Sequence, residues 1–548
     1  AGLSLLLGWH YKRFGTTFSN RAKLAWILPA VALLQVGYVL FRRLAHSEWR
    51  SAGTLFNPNH LAAWLVVALL LLAGTRDRRP ALRVALLQGV AALVLFTGLV
   101  LSGSRGGFVG LAAGGAYLLL AGWHALKRRE RVAVLAAAAL AGIVVTGAMV
   151  QRFQGPDRFA MHRVGIWTGT AAMAWDHPWL GVGPNQFDWN ARQYQFPDGE
   201  GDLAYDHLYS NSHSDWLRLP AEFGIPGTVF LALTLLGFAW VIRKGRKSGV
   251  LPPSSAGAVA ALLALLVQSA FQNLSHSPAV YLTAAALIGG LLGRTDPLPS
   301  QRTRNRSGRG SVRPGSLLAC AVLLVAFLAA DVGPYLAYRL TDGAGRNPTR
   351  AELQQATRYN RLQPYIRMAL AESYLPEGPL TLDAYQAARA HGEQAVRMHA
   401  GDAELRRRLA RIEARACREL FQDRVSRELA LEHYLAAEAL APAMAMIPLE
   451  AGDFLLTVSD PQGAAAAADR ALALEPGSVP PRVLKAAAVL DRDGARAIPA
   501  AGVLLDEARA LAAGGDSGRR ESGYGRVMLL VDPAREAAIA RRMASLSE

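Results

Sequence analysis

Three residues of this 548-residue chain combine reactive side chains with settings that concentrate them: Arg105, Arg163 and His213. Arg105 lies in Leu101-Ser102-Gly103-Ser104-Arg105-Gly106-Gly107-Phe108, a tight glycine turn between two apolar stretches. Flanking glycines allow an anion to approach backbone amides closely, and a guanidinium can hold a phosphate. A central arginine in a bilayer would cost about 2.5–3.5 kcal/mol on insertion scales. Near the interface it costs less, so an arginine snorkelling to lipid headgroups is the competing reading. Arg163, in His162-Arg163-Val164-Gly165-Ile166-Trp167, precedes a stretch with Val164, Trp167, Ala171 and Ala174 or Trp175 on one helical face. That pattern predicts a helix lying in the membrane interface, on which a lone arginine is as readily structural as functional. His213 stands beside Ser214, where the chain returns to apolar sequence, with the following helix start marked by Gly224, Pro226 and Gly227. An imidazole there suits proton transfer. Taken alone, it is better explained as an interfacial histidine hydrogen-bonding a loop carbonyl.

Other chemistry is weakly represented. Asp198-Gly199-Glu200-Gly201-Asp202 has some features of a calcium loop but lacks its downstream bidentate glutamate, and reads as a solvated turn. The chain has no His-Glu-x-x-His, no nucleophile elbow and no Gly-Lys-Ser/Thr phosphate loop. Its two cysteines, Cys320 and Cys417, build neither a disulfide framework nor a thiolate metal site. No metal or cofactor is expected. The net charge of +17 sits in short basic runs between apolar stretches, the pattern of membrane orientation rather than nucleic-acid binding. The tryptophans at 167, 175, 179, 189 and 216 suit an interfacial belt.

The elements that must position these residues are mostly membrane helices. With 52% hydrophobic and 18% charged residues, the chain is too apolar for one soluble domain and too mixed for a pure membrane bundle. Candidate spans are Leu24 to Phe41, Leu61 to Gly74, Leu82 to Ser102, Phe108 to Leu126, Val132 to Val150, Thr228 to Ile242, Ala256 to Ala270, Ala279 to Leu292 and Leu317 to Tyr335. The opening Ala-Gly-Leu-Ser-Leu-Leu-Leu reads as the tail of a span, which predicts further helices upstream. Basic runs at Arg76 to Arg79, Lys127 to Arg129, Arg243 to Lys247 and Arg302 to Arg313 fall on one side, which makes that side cytoplasmic; Arg42-Arg43 alone conflicts. The long loop and everything after Tyr338 then lie outside.

The expected architecture is a mainly α polytopic bundle, N-terminally incomplete, followed by an α-solenoid. Residues 1–293 form the membrane domain with an exported loop at 151–217. A basic cytoplasmic linker at 294–316 leads to a last span at 317–336, and 337–548 form an exported helical-repeat domain. Within it, Leu405, Leu409, Ile412, Ala416 and Leu420 follow an Asp402 N-cap at helical spacing. Ala437-Glu438-Ala439-Leu440-Ala441-Pro442 echoes Ala471-Leu472-Ala473-Leu474-Glu475-Pro476, 34 positions later, the tetratricopeptide period. Arg361-Leu362-Gln363-Pro364 closes an earlier degenerate unit. Such a solenoid presents a surface for protein partners.

Taken in order, these motifs resemble the O-antigen ligase and O-antigen polymerase superfamily. The residues concerned are Gly53 to Asn59, Ser102 to Gly106, Arg163 with Trp167, Pro178-Trp179-Leu180-Gly181-Val182-Gly183-Pro184-Asn185-Gln186-Phe187, and His213-Ser214 with Gly224 and Gly227. The last set matches the family pattern H-[NSQ]-x9-G-x-x-[GTY] in full, and the resemblance spans about Leu24 to Leu292. It implies an inverting, metal-independent GT-C-type glycosyltransferase of a bacterial cytoplasmic (inner) membrane, acting on its outer side. The substrate class implied is a glycan carried on undecaprenyl diphosphate, with a glycan, lipid or protein as acceptor. The family's two arginines and histidine map onto Arg105, Arg163 and His213, with Ser214, Asn59 and Asn185 as further substrate-binding candidates. Two rivals of other classes remain: a polysaccharide or small-solute transporter, which predicts helices broken near the midplane, and a membrane-anchored scaffold.

Overall fold

Among the described residues, the expected apolar runs lie in helices, several of which extend beyond the expected limits. The computed structural model describes residues 18–46, 52–74 without 56, 82–123, 158–197, 203–205, 209–251, 255–295, 332–514 without 345, and 523–547 without 531, plus isolated positions at 127–136, 321, 322 and 325. Among these, all regular elements are helical. The candidate spans Val132 to Val150 and Leu317 to Tyr335 lie almost wholly outside the described residues, as do the acidic residues Asp198 to Asp202. The chain divides into two units: Ala1–Trp167 with Ala174–Gly181 and Asn211–Phe327, and Thr168–Met173 with Val182–Ser210 and Leu328–Glu548.

The first unit is built from α1 (Phe18–His46), α2 (Pro58–Gly74), α3 (Leu82–Ser102), α4 (Arg105–Gly122), the ends of α5 (Arg158–Asp176), α6 (Asp215–Lys247), α7 (Ala256–Ser269) and α8 (Pro278–Thr295). α2 is buried on every side through Leu61, Leu65, Val66, Leu70 and Leu72, as an all-apolar helix must be. Segments of α1, α3 and α6 are long and apolar enough to cross a membrane, and Pro58–Gly74, Ala256–Ser269 and Pro278–Leu292 are shorter apolar helices. α3 and α6 expose Leu86, Leu87, Leu93, Phe230, Leu233, Leu236 and Trp240. An apolar surface of this extent belongs against lipid.

Small residues set the tightest contact. Gly106, Gly110 and Gly114 recur every four residues along α4. A β-carbon on Gly110 would come within 3.0 Å of Ala264 O, and one on Gly114 within 2.8 Å of Ala260 O, both on α7. The stripe lets the two backbones touch, as small-residue repeats do between membrane helices. At the other ends, Arg246 of α6 bonds the Tyr117 hydroxyl of α4. The Arg105 end of α4 is therefore opposite the basic end.

The start of α6 differs from the sequence expectation. It begins not at Gly224–Gly227 but at Asp215, where the Ser214 side chain accepts a hydrogen bond from Leu217 N at 3.3 Å. Gly224 (φ 64°, ψ −169°) interrupts it, and Pro226 sits near the start of the second segment. The turn residues mark a break, not a beginning.

The second unit stacks helix hairpins: α9 (Arg350–Tyr359) with α10 (Pro364–Ser373), α11 (Leu382–Met398) with α12 (Ala403–Ala416), α13 (Arg424–Leu440) with α14 (Met446–Thr457), and α15 (Pro461–Leu474) with α16 (Pro480–Asp493). α17 (Ile498–Gly514) and α18 (Pro533–Ser547) follow. The first helix of each hairpin ends on an equivalent residue, Asn360, His399, Ala441 or Glu475, whose N–H donates to the carbonyl four residues back. Ala441 and Glu475 keep the 34-residue period. The spacing from His399 to Ala441 is longer because α12 runs into a π-helical turn, Cys417–Phe421. Asp402 caps α12 as expected, and Leu405, Leu409, Ile412 and Ala416 are buried. This is a tetratricopeptide-like solenoid.

Candidate active site

At the Arg105 end of the first unit, separate polar segments converge on one short connection, residues 270–277 between α7 and α8. Gln272 donates to Ser104 Oγ at 3.3 Å. Ser104 in turn caps α4, accepting from Gly107 N, and so sets the first helical residue, Arg105. Gly106 leaves room for this: a β-carbon there would lie 2.9 Å from Gln272 Nε2. Asn273 takes the other strand of the site, donating to Asn211 Oδ1 at 2.9 Å and meeting the Ser212 hydroxyl at 3.2 Å. His60 Nε2 bonds the Asn273 carbonyl at 3.1 Å. Asp215 accepts from Ser275 N and Oγ at 3.1 and 2.6 Å. The glycine turn before Arg105 and the Asn211–Asp215 segment holding His213 are thus pinned to adjacent residues.

His213 itself is held in a left-handed conformation, φ 50°, unusual for a residue with a β-carbon. Its neighbours Ser212 and Ser214 are buried while its own side chain projects outward. Partial desolvation first, and then the charge of Arg163, lower its pKa from the ordinary imidazole value. The two side chains are therefore electrostatic neighbours, and the shift favours the neutral imidazole, the form that can accept a proton. Trp167, one turn beyond Arg163, packs against Phe271 with ring centroids 6.4 Å apart. That contact ties the Arg163 end of α5 to the same connection.

The remaining candidates divide. Asn59 is half-buried, its carbonyl accepting from Gln268 at 3.3 Å. Ser214 is buried and occupied as the α6 cap. Asn185 falls in the second unit, exposed and left-handed at φ 59°. Trp189 leaves the expected aromatic belt, stacking on Tyr365 at 5.0 Å. Of the apolar face expected on α5, Trp167 packs on Phe271 but Val164 is 57% and Trp175 84% exposed, while Ile166, Thr170 and Met173 are buried. Gly169 explains the choice of face, since a β-carbon there would lie 2.8 Å from Tyr194 O. Among the described residues, no three His, Cys, Asp or Glu side chains are grouped as a metal site requires.

Two motifs that are far apart in sequence interlock here. Ile225 N donates to Pro178 O at 2.7 Å, and a β-carbon on Gly224 would lie 2.4 Å from Trp179 O. Gly181, at φ 65°, likewise abuts the Glu222 carbonyl. Both glycines are needed for close backbone approach at positive φ. Gly224→Ala is expected to destabilise the first unit by roughly 1–3 kcal/mol, read as a lower melting temperature in detergent; an unchanged melt would count against the interlock.

Sequence reasoning passed over Gln272, Asn273 and the buried ion pair Arg218–Glu222, 2.7 Å apart, one turn below His213. The only sequence signal was a run of polar residues, Gln272-Asn273-Leu274-Ser275-His276, between two apolar helices.

No curated protein matches the chain. A thermophilic tetratricopeptide-repeat protein of Thermus thermophilus is similar at 21% identity over 36% of this chain and 89% of its own, with a TM-score of 0.25. Yeast Tom70 is similar at 10% identity over 96% of this chain and 92% of its own, also at 0.25. The repeat assignment rests instead on the helix pairing and turn spacing described above. The family model for O-antigen ligase matches residues 90–232, which include Arg105, Arg163 and His213. Residues 90–232 are thus an O-antigen ligase family domain, carried in one chain with a tetratricopeptide-like solenoid.

Proposed function

We propose that this chain is an inverting, metal-independent membrane glycosyltransferase that moves a glycan from undecaprenyl diphosphate to an acceptor hydroxyl, as an O-antigen ligase or a polysaccharide polymerase does. Arg105 and Arg163 hold the diphosphate and His213 is the base. A sugar alcohol is a poor nucleophile, so its proton passes to the neutral imidazole as its oxygen bonds to the anomeric carbon. The carbon–oxygen bond to the diphosphate breaks on the opposite face. Guanidinium groups offset the charge that the leaving group gains. The observation that carries this reading is the convergence of the Arg163 helix and the His213 segment on one connection, Trp167 packing on Phe271 and Asn211 and Ser212 bonding Asn273, close enough for the Arg163 charge to act on the imidazole.

Orientation follows from the basic residues. Arg243, Lys244, Arg246 and Lys247 end α6 opposite the Arg105 end, which under the positive-inside rule supports a site on the outer side of the cytoplasmic membrane. The break in α6 lies near its site end, at Gly224, not midway as in transporter helices.

The test incubates the purified full chain with an undecaprenyl-diphosphate glycan and glycan, lipid and protein acceptors, with and without EDTA. A product of inverted anomeric configuration, unaffected by EDTA, is expected. Absence of product with every acceptor, or its loss on chelation, overturns the reading.

A further inference from the structure

The long loop between α5 and α6 does not run free. Its residues Val182–Ser210 belong to the second unit, where several of those described meet residues at or beside equivalent turns of successive hairpins. Trp189 stacks on Tyr365 of the first hairpin at 5.0 Å and meets the tilted ring of His399, at the turn of the second, at 5.1 Å. His399 Nε2 also bonds Gln186 Oε1; because an amide oxygen only accepts, the imidazole donates. The turn Ala191–Tyr194 packs against α13 of the third hairpin. Further on, Leu203 is fully buried among Ala445, Leu449, Ala468 and Leu484. Glu475, the turn residue of the fourth hairpin, is itself fully buried. Its carboxylate accepts from the backbone N–H of Ala204 and, at 2.8 Å, of Tyr205, and from the Tyr524 hydroxyl at 3.0 Å.

These contacts read the segment's backbone as well as its side chains. A buried carboxylate needs partners, and two amides from elsewhere in the chain supply them through charge-assisted hydrogen bonds. The loop also reaches the helix that bears Arg163, since Gly169 of α5 sits against the Tyr194 backbone.

We infer that the hairpin-turn edge of the solenoid is an intramolecular dock for loop residues 186–194 and 203–205, with Glu475, His399 and Tyr365 as positioning residues for the loop between Arg163 and His213. A partner protein at this edge would have to displace the loop. The positioning role rests on the glycosyltransferase reading; the docking does not.

The experiment compares the full chain with two variants. Glu475→Ala removes the acceptor, and Ala204→Pro removes one donor while leaving every solenoid residue in place. Hydrogen–deuterium exchange at the Tyr205 amide reads docking. It should be protected in the parent chain and exchange at least about tenfold faster in both variants, with α11 to α14 unchanged. Transfer by both variants should fall about tenfold or more, mainly in kcat, since the donor-binding arginines are intact. An unprotected Tyr205 in the parent, or protection that survives both substitutions, overturns the dock. Loss of protection with transfer within twofold of the parent overturns the positioning role. A parent chain that docks its loop yet transfers no glycan counts against the glycosyltransferase reading instead.

Discussion

His213→Ala is expected to lower glycan transfer by about two to four orders of magnitude, the range ascribed to a positioned general base. Insertion and melting temperature should stay near the parent values, because the side chain projects outward from the buried Ser212 and Ser214. The loss should fall on kcat and kcat/KM together, since proton acceptance matters in the transition state and little in the ground state. His213→Gln, which keeps a hydrogen-bonding group but cannot take the proton, should be nearly as inactive. Near-normal transfer by either variant would remove the base from the mechanism.

Arg163→Ala should be comparably damaging, by about two to three orders of magnitude, as for a lost transition-state charge contact. It also makes a second, independent mark. Burial and the Arg163 charge both lower the pKa of His213, and the substitution removes the second cause. The base works unprotonated, so activity falls as pH drops through that pKa. With the pKa raised in the variant, the acid limb of the residual activity must move to higher pH. Arg163→Lys keeps the charge and should hold the limb near its parent position, but without full rate, because an ammonium lacks the bidentate fork. A pH–rate profile of kcat/KM on the three proteins distinguishes these outcomes. A limb that does not move in Arg163→Ala would separate the two side chains functionally.

Some of this organisation is local and was readable before any coordinates. Spans such as Leu82 to Ser102 follow from the length of apolar runs, Asp402 from cap chemistry, and the hairpin turns at Ala441 and Glu475 from a repeated proline motif. Each depends on residues within a few positions of one another. The motif glycines were also visible, although their role was misplaced: Gly224 breaks a helix already begun at Asp215, because Ser214 caps it.

The amino-acid sequence alone therefore determined most of the helical stretches among the described residues, which side chains could carry chemistry, and that apolar helices are followed by a helical repeat. Tertiary structure alone decided which of them meet. Ser104 and Gln272 are 168 positions apart, Ser212 and Asn273 are 61, and Tyr205 and Glu475 are 270. No periodicity or turn rule acts over such distances. What brings the first pair together is the glycine stripe that lets α4 and α7 pack backbone to backbone, and what holds the last is a buried carboxylate satisfied by amides from a remote loop. Close packing and the cost of an unpaired buried charge, neither of them local, made those choices.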